Sequence, residues 1–229
     1  MDKASNFSRP MVYLLLLCGL ISTVLYVAID VIDALNYPGY NYFAQAISEM
    51  SAIGAPTTTL LAPLYRGWSL LFVAFTAGVW IVGRNRSALR WCARLMLGVA
   101  VVGTGLSIFP MTQRTMEPTS SDTMHLIVAA ATMTLLSGAI LAGGRAFGRS
   151  FRRYSAITIG VMLVFFFLTM QDVPNVAADQ PTPYMGLNER ISMSAWLLWI
   201  AVYSVRLMRI ASFDGDALGW SDAPQKSQR

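Results

Sequence analysis

Hydrophobic and polar positions along the chain alternate between apolar runs of about 20 residues and short polar connections. A run of that length matches a helix crossing a hydrocarbon core roughly 30 Å thick. Six such runs occur, at 10–34, 58–82, 91–111, 122–144, 153–171 and 189–209. Lipid cannot hydrogen-bond an irregular backbone, so each run predicts a helix. Residues 41–52 follow a different pattern. Phe43, Ile47 and Met50 share one side of a helical projection, with Gln45, Ser48, Glu49 and Ser51 on the others, which predicts a short amphipathic helix at the membrane interface. Pro38-Gly39 before it and Gly54 and Pro56 after it set its limits. The expected fold is all-α: a polytopic membrane protein, a six-transmembrane-helix bundle with a short interfacial helix between helices 1 and 2. The membrane domain is expected over 10–211, between a cytoplasmic N-terminal tail, 1–9, and a C-terminal tail, 212–229, whose Asp, Gly, Ser, Gln and Lys content predicts disorder. No internal repeat stands out, which argues against the inverted halves of many secondary transporters.

Composition agrees with this pattern. Of 229 residues 55% are hydrophobic and 13% charged, against about a quarter charged in a soluble domain. A net charge of +5 could signal nucleic acid in a soluble protein, but here the basic residues lie in short connections, so membrane orientation accounts for them and no nucleic-acid partner is expected. All but three of the 17 basic residues fall on one side of the expected topology, the exceptions being Arg66, Arg114 and Arg190. By the positive-inside rule the crowded side is cytoplasmic, so both termini are cytoplasmic and the expected location is the bacterial cytoplasmic (inner) membrane. The first run ends in Asp30 and Asp33 and is followed by an aromatic segment rather than a small-residue cleavage site, so it reads as a retained anchor. Cys18 and Cys92 should lie at different depths, which argues against a disulfide. One histidine makes no metal-ligand set, so neither metal nor cofactor is expected.

The acidic residues mirror the basic ones. All but four of the 12, namely Asp2, Asp214, Asp216 and Asp222 in the tails, lie toward the outer face. Acids contribute little to topology, so this clustering points to where function sits. Arg66 lies two to three turns inside the second run, where a cation costs roughly 2.5–3.5 kcal/mol unless it snorkels or is paired. It could anchor an anionic headgroup, or pair with Glu49, Asp30 or Glu189. Asp30 and Asp33, three apart, share a helix face and form an acid/base pair, a cation site or a solvated helix end. His125 follows Ser120 or Ser121 as N-cap and opens the fourth helix, fit for packing, ligand contact or proton transfer. Asn188 is expected to cap the last helix with Glu189 on its dipole, while Arg190 in the first turn needs an acidic partner such as Asp172 or Asp179. Together Asp30, Asp33, Glu49, Arg66, His125, Asp172, Glu189 and Arg190 predict an outward-facing polar pocket at one end of the bundle.

The run Gln45-Ala-Ile-Ser-Glu-Met-Ser-Ala-Ile-Gly-Ala-Pro56, the lone His125 and the lead Asn188-Glu-Arg-Ile resemble a prokaryotic family of six-span membrane proteins, the domain of unknown function 998 family. The resemblance covers about residues 10–210. It implies the topology above and brings no settled activity. The chain departs from membrane hydrolases of the ceramidase type, which need several zinc-binding histidines.

Three functions fit these residues. In the first, the pocket binds or moves a lipid or small amphiphile, with Arg66 holding its anionic part. In the second, the protein is a membrane-embedded enzyme of the isoprenoid cyclase or isomerase type, with Asp30, Glu49 or Glu189 donating a proton and His125 orienting or accepting one. In the third, the protein is a structural or assembly subunit whose charges only fix helix packing. Catalysis is left open, membrane lipids are the expected partners, and nothing in the sequence fixes an oligomeric state.

Overall fold

The structure is a computed structural model that describes residues 7–114 and 116–213. Those residues are helical, turn or irregular, and no strand occurs among them. The helices are α1 (Arg9–Asn36), α2 (Thr58–Val82), α3 (Ser87–Ile108), α4 (Ser120–Gly144), α5 (Gly148–Gln171), the short α6 (Val173–Ala177) and α7 (Met185–Phe213). Five segments are long and apolar enough to cross a membrane. The fourth, Ser120–Ala177, is a single 58-residue run that holds α4, α5 and α6. Within it a 3-10 turn at Arg145–Phe147 and Gly148, at φ +80°, break the helix between α4 and α5. The predicted C-terminal tail lies almost wholly outside the described residues, as does most of the N-terminal one.

The long helices pack as a closed ring in which each neighbours the next and α7 returns to α1. Hydrophobic burial drives helix association weakly in lipid, so close packing and interhelical hydrogen bonds carry it. Both are concentrated on α7. Trp199, Tyr203 and Leu207 are fully buried against Leu16 of α1, Phe75 of α2, Cys92 of α3, Ile140 of α4 and Phe151 of α5. Gly143 makes room for Trp199, because a Cβ there would lie 2.8 Å from the indole. The Trp199 Nε1–H donates to Ser155 Oγ at 2.9 Å, Ser204 Oγ to the Leu16 carbonyl at 2.5 Å and Ser192 Oγ to the Met162 carbonyl at 2.9 Å.

The connections are unequal. Three longer ones (α1–α2, α3–α4 and α6–α7) meet at one end of the bundle, hereafter the loop-rich end. Here one expectation is corrected. Residues 41–52 form turns followed by a five-residue 3-10 helix, Ile47–Ser51, rather than an amphipathic α-helix. Ile47 and Met50 are buried as expected, but Phe43 is 58% exposed. The cause is competition for backbone groups. Asn41 Oδ1 accepts the N–H groups of Phe43 and Ala44, and the carbonyls of Tyr42, Ala44 and Gln45 are taken by arginine side chains from elsewhere in the chain.

Candidate functional site

Two arginines organise the loop-rich end. The first is Arg190, on the buried face of α7 one turn from its start. Its guanidinium forks onto Asp30 of α1, with Nε to Oδ2 at 3.1 Å and Nη2 to Oδ1 at 3.0 Å, and both side chains are 9% exposed. Nη1 donates to the carbonyls of Tyr42 (2.7 Å), Gly186 (3.2 Å) and Gln45 (3.3 Å), and Nη2 also donates to the Tyr40 hydroxyl at 3.0 Å. All five guanidinium N–H groups are therefore engaged within the chain. The Tyr42 ring lies 3.6 Å from the guanidinium carbon, and its hydroxyl donates to Asp30 Oδ2 at 2.5 Å. Burial, then the bond to Asp30, pushes the Tyr42 phenol above its ordinary range, and burial does the same for Tyr40. Both rings stay protonated and available as donors.

The second is Arg114, in the α3–α4 connection. It forks onto Glu49 with Nε to Oε2 at 2.7 Å and Nη2 to Oε1 at 2.9 Å, and Nη2 also reaches Thr182 Oγ1 at 2.7 Å. Thr182 in turn donates to the Ala44 carbonyl at 2.8 Å. The hydrogen bond to Glu49 holds the guanidinium charged, raising its already high pKa. Glu49 also closes its own turn by accepting the Ala46 N–H at 2.8 Å, and Glu189 accepts the Ile47 N–H at 2.5 Å. One arginine thus ties the α1–α2 connection to α1 and α7, and the other ties it to the α3–α4 connection and, through Thr182, to the α6–α7 connection.

The structure gathers Asp30, Glu49, Glu189 and Arg190 in this way and leaves other sequence candidates apart. Asp33 is 1% exposed, and the Tyr65 hydroxyl donates to its Oδ2 at 3.4 Å. His125 is buried with Nδ1 2.8 Å from the Phe109 carbonyl, so it satisfies the exposed end of α3. Asp172 is half-buried, with Asn175 Nδ2 3.5 Å from Oδ1, and joins neither arginine by a hydrogen bond. The expected pairing of Arg66 with Glu49 is corrected: Glu49 pairs with Arg114, and Arg66 lies on an exposed face of α2 with no ion pair among the described residues. Two helix starts also move. The cap of α4 is Thr119, closed by Asp122, rather than Ser120 or Ser121, and α7 begins at Met185, so Asn188 and Glu189 are already inside it. The partner of Arg190 is Asp30 rather than Asp172 or Asp179.

Arg114, Tyr40, Tyr42 and Thr182 stand outside the site candidates that the sequence offers. Arg114 carried a signal, being one of only three basic residues off the crowded side. The tyrosines carried none that distinguishes them from an interfacial aromatic belt.

Beneath the Arg190–Asp30 pair lies a cleft of about 70 Å³ between α1 and α7. Asp30, Tyr42 and Arg190 line its polar end, and Tyr26, Val27, Ile47, Met193 and Leu197 its apolar walls, with the exposed Ser194 at its edge. That volume accommodates a small headgroup or a few waters, and is far below the roughly 300–1,000 Å³ of drug-sized pockets. Among the described residues no group of three or more His, Cys, Asp or Glu could hold a metal ion.

No curated protein and no solved structure is matched by the chain. Residues 20–206 match the family described as a protein of unknown function, DUF998, and the chain belongs to that family.

Proposed function

We propose that this chain is a six-span protein of the bacterial cytoplasmic membrane, with both termini cytoplasmic, that binds a lipid or small amphiphile at the α1–α7 cleft. In this reading α4 and α5 each cross the bilayer, turning at Gly148, and the loop-rich end faces outward. The observation that carries the binding function is the two-part lining of the cleft. Asp30 accepts three hydrogen bonds and a carboxylate has about four acceptor positions, so one remains for a hydroxyl or ammonium headgroup. The apolar part of the ligand then lies along Val27, Met193 and Leu197, and Val27 is 50% exposed on the flank of the bundle. Because the cleft is small, only the head enters and the chains stay in the bilayer. Arg66, the anchor expected from sequence, has no part in this arrangement.

Filling the cleft tests the proposal. Val27→Trp and Ser194→Trp should leave thermal unfolding unchanged while cutting retention of the amphiphile that copurifies with the wild type by about tenfold, read by native mass spectrometry. An unchanged set of copurified lipids would sink the binding function. The topology is checked separately, in a chain with Cys18 and Cys92 replaced. A membrane-impermeant maleimide added outside should label Ser120→Cys, and should label Asn85→Cys only after the membrane is opened. The reverse pattern would invert the orientation.

A structural or assembly role without a ligand is the second reading, favoured by the saturation of every Arg190 donor within the chain. Of the four candidate catalytic groups, Asp30 alone lines the cleft, while Glu49, His125 and Glu189 do not. The enzymatic alternative therefore rests on Asp30.

A further inference from the structure

At the opposite end of the bundle, where α2 passes into α3, two arginines share one tryptophan. The guanidinium carbon of Arg90 lies 4.5 Å from the Trp80 ring centroid and that of Arg94 5.5 Å from it, and Arg94 also lies 4.7 Å from the Trp91 ring. Arg90 and Arg94 are four apart on α3, a spacing at which like charges repel. Stacking on indole offsets only part of that repulsion. Among the described residues no carboxylate neutralises them: the acids there all belong to the loop-rich end or its helix termini, and neither arginine has an ion pair. Arg90 Nε is moreover buried with no acceptor in reach among the described residues. Two like charges stacked on one exposed indole, with no carboxylate beside them among the described residues, call for an anion.

We propose that this is a binding site for the phosphodiester of an anionic phospholipid. Arg90 and Arg94 would hold the phosphate, and Trp80 and Trp91, 40% and 56% exposed, would flank the glycerol. A lipid fits better than free phosphate because the face carrying Arg94 continues through Leu97 and Val101, 50% and 64% exposed, which gives an acyl chain an apolar track along α3. In the proposed orientation this lies in the cytoplasmic leaflet, where anionic lipids attract basic residues. The site is separate from the α1–α7 cleft, and its test does not depend on that cleft.

The test uses the full chain in detergent, titrated with dioleoylphosphatidylglycerol, dioleoylphosphatidylcholine or inorganic phosphate, with bound lipid counted by native mass spectrometry and unfolding followed by heat. Phosphatidylglycerol should be retained at least about tenfold better than phosphatidylcholine and should raise the melting temperature, with inorganic phosphate doing neither. Arg90→Gln/Arg94→Gln should abolish the preference, and Arg94→Gln alone, at an exposed position, should weaken it. Arg149→Gln/Arg153→Gln, an exposed pair with the same spacing on α5, should keep it. Equal retention of both lipids, or stabilisation by inorganic phosphate alone, would overturn the proposal. So would equal loss in the α5 variant, which would reduce the effect to bulk charge. So would an Asp214→Asn/Asp216→Asn/Asp222→Asn variant that gains phosphatidylglycerol binding no wild-type chain shows, because the chain's own tail would then be the occupant.

Discussion

Replacing Arg190 with Met should lower stability by about 3–5 kcal/mol, a drop in apparent melting temperature on the order of 10 °C for a chain of this size. Methionine keeps the length and apolar volume of the side chain but removes every donor. Asp30 is then left buried with only the Tyr42 hydroxyl, and the carbonyl of Tyr42 loses its partner. Most of the cost comes from the stranded carboxylate, because removing both members of a buried pair is far milder than removing one. Asp30→Asn in the same chain should therefore recover much of the loss, since asparagine can still accept from Tyr42 without carrying a charge. Thermal unfolding of wild type, both single variants and the double variant in one detergent gives the coupling directly. A double variant no better than Arg190→Met would show that the pair does not act as a brace. A single variant that folds normally but loses its copurified amphiphile would instead make Arg190 a ligand contact.

The importance of Arg190 shows in the buried stripe of α7 and the marginal position of Arg66 in that of α2, but α7 is apolar on nearly every side, so its stripe is not legible in the sequence alone. Along α7 the buried positions 207, 203, 200, 196 and 192 step back by three or four residues, and the same stride reaches the turn containing 189 and 190. Along α2 the buried positions 79, 75, 72 and 61 step back through 68 and 65, so that 66 falls beside the seam and not on it. Depth in an apolar run shows that a cation is costly there. Only the helical phase shows whether it faces protein or lipid. The pairing of Glu49 with Arg114 was beyond this kind of reading, because both lie in connections without a repeating pattern. The apolar spacing of 41–52 does not give its conformation either, since its carbonyls are claimed by side chains distant in sequence, and no local propensity reports that competition.

Gly186→Ala should be the most disruptive exchange of a single hydrogen for a methyl group in the loop-rich end, costing about 3 kcal/mol. The first turn of α7 carries the α1–α2 connection directly on its backbone. The Leu187 N–H, an amide with no partner inside its own helix, donates to the Phe43 carbonyl at 3.0 Å. A Cβ on Gly186 would run into the Gln45 carbonyl oxygen and lie 2.7 Å from that of Tyr42 and 2.9 Å from Arg190 Nη1. Two of these three neighbours are backbone atoms, which cannot swing aside as a flexible side chain can. The connection must lift away, and with it go the carbonyls that receive Arg190 and the Ile47 N–H that reaches Glu189. Hydrogen exchange should therefore rise in residues 40–52 while the core of α7 around Trp199 and Tyr203 stays protected. Gly103→Ala on α3 is the matched control, because a Cβ there meets nothing within 4 Å. Alanine is the better helix former, so that exchange should be neutral or stabilising by up to about 1 kcal/mol. If the two variants melt alike, or if exchange in 40–52 does not change, the connection does not rest on α7 in the way these distances describe.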